Sequence, residues 1–326
     1  MAGSVPRFKH RAFGLRGAKD GRVFWGWVLK NVFITGASGF IGKHLARRLL
    51  NNKYAVFGLH RQQHKNTSMQ TLEQLGMHWV GANEVEDLFA KFKIDCVVHL
   101  ATHYGRNGET EDVHESNLTM PLFILSKFLE QNGQLFLNTD SYYTKGGRSY
   151  PAMQAYSETK NLFRILGDDL TKNTDCKFIT ARLEHVYGPD DNEQKLIPFL
   201  IRQFTNNIEK IDLSSCEQSR DFVFVNDVCN AMHLILSNYS YLSPECVELE
   251  IGTGQAVPLK NLIEYLATTI GTHTKRNYGA VNQRNGEISS SSANLQWTSS
   301  IDWTPTIKMH EGLDLTIHSY LKNHHQ

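Results

Sequence analysis

The sequence predicts a doubly wound α/β fold: a parallel sheet with helices on both faces, followed by a smaller and less regular C-terminal lobe. Three observations carry that reading. Between residues 31 and 183 short apolar runs alternate with amphipathic helical stretches, the pattern of strands joined by right-handed helical crossovers. The run "IDCVVHLAT" is apolar without alternation, as a strand covered on both faces should be. A glycine triplet, "TGASGFIG", stands between the first strand and the first helix.

The elements follow in order. Residues 32–35 form the first strand, and a helix runs from the glycine turn to about residue 51 with Leu45, Leu49 and Leu50 on its apolar side. "YAVFGLHR" holds a second strand ending near Leu59, "MHWVG" a third, "EDLFAKF" a helix and "IDCVVHLAT" the fourth strand. One helix is expected over roughly 113–131, "QLFLNT" as the fifth strand, "AYSETKNLFRILGDDLTKN" as an amphipathic helix and "CKFITARL" as the sixth strand. After Leu183 the alternation stops. "EHVYGPDDNEQKLIPFLIRQF" brings a loop and a helix, "SRDFVFVNDVCNAMHLIL" a strand and a helix, and further helices lie at "LKNLIEYLATTI" and "HEGLDLTIHSYL".

Composition narrows the partners. With 326 residues, 40% of them hydrophobic, the chain can bury one large domain or two intimate ones. No apolar run approaches the roughly 20 residues of a membrane helix, so no membrane partner is expected. The net charge of +1 is uneven: residues 1–30 carry seven Lys/Arg against one Asp, leaving 27 basic and 32 acidic side chains in the rest. A mildly acidic body does not suggest a nucleic-acid partner. Five scattered cysteines without a C-x-x-C pair read as buried thiols of a cytoplasmic protein. His99 and His103 flank the end of the fourth strand, but strand geometry and the lack of a nearby carboxylate speak against a metal site.

Gly36, Gly39 and Gly42 have the spacing G-x-x-G-x-x-G directly between a strand and a helix. Glycine permits the tight turn and the close approach of backbone to a pyrophosphate, while the helix start, through Ser38, Phe40 and Ile41, offers N–H groups and a positive dipole end. This loop predicts a dinucleotide cofactor and a Rossmann-type sheet. NAD-specific sites commonly place an acid at the end of the second strand to bind the ribose 2′-hydroxyl. Here that strand ends in His60 and Arg61. A guanidinium suits a 2′-phosphate, so NADPH is expected in preference to NADH.

Tyr156 and Lys160 form Y-x-x-x-K. Four apart on a helix they share a face, so the ammonium is expected to lower the tyrosine pKa and let it exchange protons near neutrality. Thr139, at the end of the fifth strand, offers a hydroxyl to a reacting carbonyl.

Glycine loop, strand-end hydroxyl and Y-x-x-x-K in this order resemble the extended short-chain dehydrogenase/reductase family of nucleotide-sugar enzymes, over about residues 31 to 320. "VVHLAT" resembles the family's fourth-strand signature, which implies that Leu100 and Ala101 border the cofactor; Asn117 in "ESNLTMP" matches its mid-helix asparagine. "ARLEHVYGP" resembles the usual arginine-to-"NVYGP" segment with His185 in place of asparagine. "SRDFVFVNDV" matches a stretch whose arginine, Arg220 here, meets the sugar nucleotide's diphosphate in the family. His103 and Tyr104 then line the sugar pocket. The resemblance implies three regions: a basic head at 1–29, a cofactor-binding core at 30–183 with a return segment at about 221–250, and a substrate-binding lobe from 184–220 and 251–326. A helix-paired homodimer is common in the family, and the sequence leaves the oligomeric state open.

"GASGFIGKHL", "HLATHYG", "LNTDS" and "RLEHVYGP" together look most like the branch of 4-ketoreductases that includes the CDP-abequose synthases. Members of that branch reduce the C4 ketone of nucleotide-linked 6-deoxyhexoses, with dTDP-4-dehydro-6-deoxyglucose reduction to dTDP-D-fucose as a neighbouring activity; the motifs do not separate the CDP-linked from the dTDP-linked substrate. In "LNTDS" the departure from the family's 4,6-dehydratases is informative. They carry Thr-Asp-Glu, and the acid pair handles proton removal at C5 and loss of the C6 hydroxyl. Thr139 and Asp140 remain here, but Ser141 replaces the Glu, and a hydroxyl cannot be the general base for C5 deprotonation. Reduction needs a hydride donor, an acid and a polarising hydroxyl, which Tyr156, Lys160 and Thr139 complete. Asp140 reads equally as a second acid or a loop cap. Two other readings share these residues: a 4-epimerase that retains NAD, and a non-enzymatic NADP-binding regulator, a class that typically loses the tyrosine or lysine kept here. Residues 1–27 lie outside the resemblance, and the natural chain is expected to begin near Val28. The alternative is a real basic arm for a membrane or partner.

Overall fold

Alternate residues of the central strands feed two different cores, which is why their sequences show no polar face. Val32 and Ile34, Cys96 and Val98, Leu135 and Leu137, and Ile179 and Ala181 point into one core. Phe33, Val97, Phe136 and Phe178 point into the other. The computed structural model describes residues 30–60, 67–105, 110–147, 153–243 and 247–324. The expected start near Val28, the basic head and Arg61 lie outside the described residues.

The N-terminal half runs β1 (Asn31–Thr35), α1 (Phe40–Asn51), β2 (Ala55–His60), α2 (Thr67–Gln74), β3 (His78–Gly81), α3 (Val85–Lys91), β4 (Cys96–His99), α4 (Thr110–His114), α5 (Met120–Glu130), β5 (Leu135–Ser141), α6 (Gln154–Thr171) and β6 (Lys177–Leu183). The remainder runs β7 (His185–Tyr187), α7 (Leu196–Thr205), β8 (Lys210–Leu213), β9 (Ser219–Arg220), β10 (Phe222–Phe224), α8 (Val225–Asn238), β11 (Glu248–Ile251), β12 (Val257–Pro258), α9 (Leu259–Ile270), β13 (Lys275–Tyr278) and α10 (Met309–His324). Seven strands form one sheet in the order β11-β6-β5-β4-β1-β2-β3, and every pair in it is parallel. The chain thus winds outward from β1 to β3, crosses back to β4, and closes with α8 and β11. This is the Rossmann-type doubly wound sheet that the alternation predicts.

Leu45, Ala46 and Leu49 of α1 and Val228, Met232 and Ile235 of α8 cover one face of the sheet. Leu88 of α3, Ile124 and Phe128 of α5 and Phe163 of α6 cover the other. A separate core joins α7, α9 and α10 around Leu200, Phe204, Leu262, Leu266 and Leu313, and Tyr187, Phe222 and Phe224 connect it to the short strands beyond Leu183. That third core is the smaller C-terminal lobe.

One element departs from its expected form. The helix expected over 113–131 is interrupted by a turn of π-helix at Glu115–Thr119, between α4 and α5. Its centre is Asn117, and the extra residue per turn lets that side chain leave the helix for the loop after β4.

Candidate active site

The site lies along the carboxyl ends of β1, β4 and β5, where the order of the sheet reverses direction. Gly36 has φ +69°, and a Cβ there would stand 2.6 Å from the Ala101 nitrogen. A Cβ on Gly42 would stand 2.2 Å from the Gly36 carbonyl oxygen, a backbone atom that cannot step aside. By contrast, a Cβ on Gly39 would meet only that same oxygen, at 3.1 Å. Gly39 is the N-cap of α1, which has no capping side chain and no acid in its first turn. The N–H groups at Phe40 and Ile41 therefore face outward without an internal acceptor from a cap. This open helix start, bordered by Leu100 and Ala101, fits the pyrophosphate of a dinucleotide, and the residues expected to hold it are brought together here; Ser38 is part of the same turn.

Beneath the loop, the Thr35 hydroxyl accepts the Ala101 N–H at 3.2 Å and lies 2.7 Å from His99 Nδ1. His99 is fully buried, and burial followed by the charge of Lys160 holds its pKa well below the ordinary value. It is a neutral brace between β1 and β4; among the described residues no group of three or more His, Cys, Asp or Glu side chains is placed to hold an ion.

The three residues expected to be catalytic meet around β5 and α6, but with different partners from those expected. Thr139 is buried, and its hydroxyl donates to the His99 carbonyl at 2.7 Å, across the sheet rather than toward a substrate. Lys160, only 2% exposed, donates to the Thr139 carbonyl at 3.0 Å. Burial lowers its pKa to about 8, and the charge of Asp140 opposes that fall. Tyr156 does not have the lowered pKa that the Y-x-x-x-K spacing predicts. Burial pushes it well above the ordinary tyrosine value, Tyr104 and then Asp140 push the same way, and a hydrogen bond with Ser141 pulls in the other. The physical reason is desolvation: the phenol is 4% exposed, while the ammonium that should stabilise its anion is turned to a main-chain carbonyl.

Asp140 is a loop cap. It accepts the Ser141 N–H at 2.8 Å and the Thr144 hydroxyl at 2.7 Å, with Arg182 at 3.5 Å. Asn117, fully buried, spends its amide on the backbone: Oδ1 accepts from the Thr102 hydroxyl and the His103 N–H, and Nδ2 donates to the His103 carbonyl. It shapes the loop that borders the cofactor site rather than offering itself to a ligand. His103 also accepts the Gly105 N–H, and Tyr104 stacks on Tyr156 with ring centres 5.0 Å apart. His185 packs 4.3 Å from the Tyr142 ring, and burial with the Arg220 charge depresses its pKa to about 3, so it stays neutral. Arg220 is buried and paired with Glu287 at 3.2 Å.

Several participants escape sequence reading. Tyr142 and Tyr143 extend the aromatic wall from His185 to Tyr156. Glu287 meets Arg220 from 67 residues away. Lys145 links Glu184, Glu250 and the Ser292 carbonyl, pinning the turn after β5 to the sheet edge. None belongs to a spaced motif; only the run "SYYTK" beside Thr139 could have drawn attention.

An open glycine loop and a tyrosine–lysine pair at the carboxyl edge of a parallel sheet define a dinucleotide-dependent enzyme of the short-chain dehydrogenase/reductase type. The chain belongs to the NAD dependent epimerase/dehydratase family of enzymes, whose profile matches residues 32–250. It is 34% identical over 290 residues to a CDP-abequose synthase of Salmonella typhimurium, covering 87% of this chain and 96% of that protein. It is 22% identical over 316 residues to a dTDP-4-dehydro-6-deoxyglucose reductase of Escherichia coli, covering 88% and 96%. Among solved structures, a UDP-glucose 4-epimerase of Thermus thermophilus in complex with NAD superposes with a TM-score of 0.75 at 20% identity, over 89% of this chain and 99% of that one. Among the described residues no helix is long and apolar enough to cross a membrane.

The Asn117 bracket makes a stability prediction. Asn117→Leu leaves the His103 N–H and Thr102 hydroxyl without their acceptor, and should cost about 1–3 kcal/mol in urea unfolding. A loss below about 0.5 kcal/mol would show that the bracket does not hold the loop.

Proposed function

We propose that this enzyme reduces the C4 ketone of a nucleotide-linked 4-keto-6-deoxyhexose, in a route to deoxysugars of surface polysaccharides. The substrate is dTDP-4-dehydro-6-deoxy-D-glucose or CDP-4-keto-3,6-dideoxy-D-glucose, and the reductant is NADPH in preference to NADH. One observation carries the reading: the residue that follows Thr139 and Asp140 at the end of β5 is Ser141, which brings a hydroxyl and not a carboxylate. A hydroxyl there can donate to a ketone but cannot take a proton from carbon. The names of the CDP-abequose synthase and of the reductase among the relatives support the same class.

The Gly36–Gly42 turn, the first turn of α1 and Lys160 would hold the cofactor, which when bound supplies the hydride. The residues of this chain do the rest. Tyr156 holds a proton within the shielded pocket and gives it to O4 as charge develops there, a contribution of about 10²–10⁴-fold. Ser141 orients the phenol and offers the second donor, since the Thr139 hydroxyl is committed to the sheet. Lys160, as a buried cation beside Thr139, favours the phenolate left behind, which water then reprotonates. Arg220 and His185 would meet the nucleotide diphosphate, and binding there has to compete with Glu287 for the guanidinium. A helix-paired homodimer fits the exposed Leu162 and Ile165 of α6 beside Phe123 of α5.

Tyr156→Phe should lower turnover of the 4-keto sugar at least about 10²-fold with cofactor affinity nearly intact. Wild-type turnover in that variant would remove Tyr156 as the proton donor, and a wild-type enzyme that interconverts C4 epimers without consuming NADPH would be an epimerase. Arg61→Ala should weaken NADPH binding much more than NADH binding, because only NADPH carries the 2′-phosphate; equal losses in calorimetry would make Arg61 a bystander. Sedimentation should show a dimer that Ile165→Glu dissociates, whereas a monomeric wild type would dismiss the pairing.

A further inference from the structure

Among the groups around Tyr156, the ring of Tyr104 stands out because it lies face to face with the phenol. The two rings lie nearly parallel, 23° apart with centres at 5.0 Å, and Tyr143 closes a third side edge-on at 6.4 Å. Tyr104 is not placed there by chance of a free loop. On its N-terminal side both backbone groups of His103 are tied to Asn117, at 2.9 Å each. On its C-terminal side Gly105 takes φ +65°, and a Cβ there would stand 2.6 Å from Val113 Cγ2. The loop therefore passes Tyr104 between an anchored residue and a left-handed glycine packed against α4.

We propose that Tyr104 is a positioning residue for the reduction: its ring, held face to face on Tyr156, keeps water from the phenol so that the tyrosine waits in its proton-bearing form. The inference rests on the 4-ketoreductase reading. Reduction draws a proton from the tyrosine: C4 gains the hydride, O4 gains the phenol proton, and the phenolate regains its proton from solvent after the product has left. Oxidation of a sugar hydroxyl, the opening step of an epimerase or dehydratase, needs the same tyrosine as phenolate. Shielding the phenol favours the first direction over the second.

Among the described residues, the titratable groups and rings that face Tyr156 come from four elements. Tyr104 on the loop after β4 and Tyr143 on the turn after β5 exclude water. The Asp140 charge, itself shared with Arg182, disfavours the phenolate. Ser141 favours it through its hydrogen bond, and Lys160 on the same helix is turned to Thr139. Burial is the largest of these influences on the phenol, and the Tyr104 ring stacked on it at 5.0 Å is part of that burial. Opening the Tyr104 side should therefore bring the ionisation down.

The test follows the Tyr156 phenolate directly by ultraviolet difference titration, with the Tyr156→Phe protein subtracted in each background. Tyr104→Ser should move the Tyr156 ionisation down by at least about one pH unit, and Tyr104→Phe, which keeps the ring, by less than about 0.3. Tyr104→Leu serves as the opening variant if the serine protein does not fold, with a smaller downward shift expected. An ionisation unmoved by the opening variant overturns the proposal, as does a Tyr104→Phe shift as large as the serine one. Because this measurement needs no substrate, a protein that reduces no 4-keto sugar but shows the shift would retain the shielding role and lose only the reductase reading.

Discussion

The imidazole of His99 is the point on which the site depends. Thr35 from β1 meets its ring, Thr139 from β5 donates to its carbonyl, and the Ala101 N–H that follows it closes on Thr35. Each such bond contributes only about 0.5–1.5 kcal/mol net, but leaving one of these buried groups unpaired would cost more. The Thr35 hydroxyl accepts from Ala101 and shares a hydrogen bond with Nδ1 whose direction follows the ring tautomer, and the other ring nitrogen, Nε2, is buried. That atom has no partner among the described residues. The position is tolerable because the ring is neutral and packs edge-on to Phe163 at 5.5 Å. One buried histidine thus fixes the relative heights of three strand ends, and with them the distance from the glycine loop to the tyrosine.

Charge around the site is handled by compensation at the sheet edge. Asp140 accepts from Ser141, Thr144 and Arg182; Arg182 also reaches Glu248 and Glu250, and Lys145 joins Glu250 to the buried Glu184. A buried acid such as Glu184 is costly alone, and its pKa is raised by burial even with Lys145 beside it. The network is better understood as a register device than as a store of stability. It ties the turn after β5, which carries Ser141, Tyr142 and Tyr143, to β6, β11 and the segment at Ser292.

The π turn at Asn117 shows how a local irregularity serves a distant group. A regular helix over 113–131 would keep the asparagine in its own ladder; the wider turn sends the amide to Thr102 and His103 instead. The loop from Leu100 to Gly105 is then shaped from below, so the residues bordering the cofactor groove and the ring over Tyr156 are set by one side chain. Stability and catalysis are coupled at this place, because the same hydrogen bonds that satisfy a buried amide hold the aromatic wall.

The sequence by itself determined six of the seven strands of the sheet, most helices between them, the glycine loop and the tyrosine–lysine pair; α2 and β11 carry no comparable signal. These are short-range features: apolar periodicity decides what is buried, and residues a few positions apart on one element must share its geometry. It also marked Ser141 as the departure from an elimination site. Only the tertiary structure decided what the marked side chains do. Thr139 turns into the sheet because His99 offers a carbonyl there, and Lys160 turns to the Thr139 carbonyl instead of the phenol. Arg220 finds Glu287, and Tyr104 finds Tyr156, across separations that no spacing encodes. The pKa of Tyr156 is the clearest case. Sequence spacing puts a cation one helical turn away, but desolvation is a property of everything packed around the ring, and here it is the largest influence on the phenol.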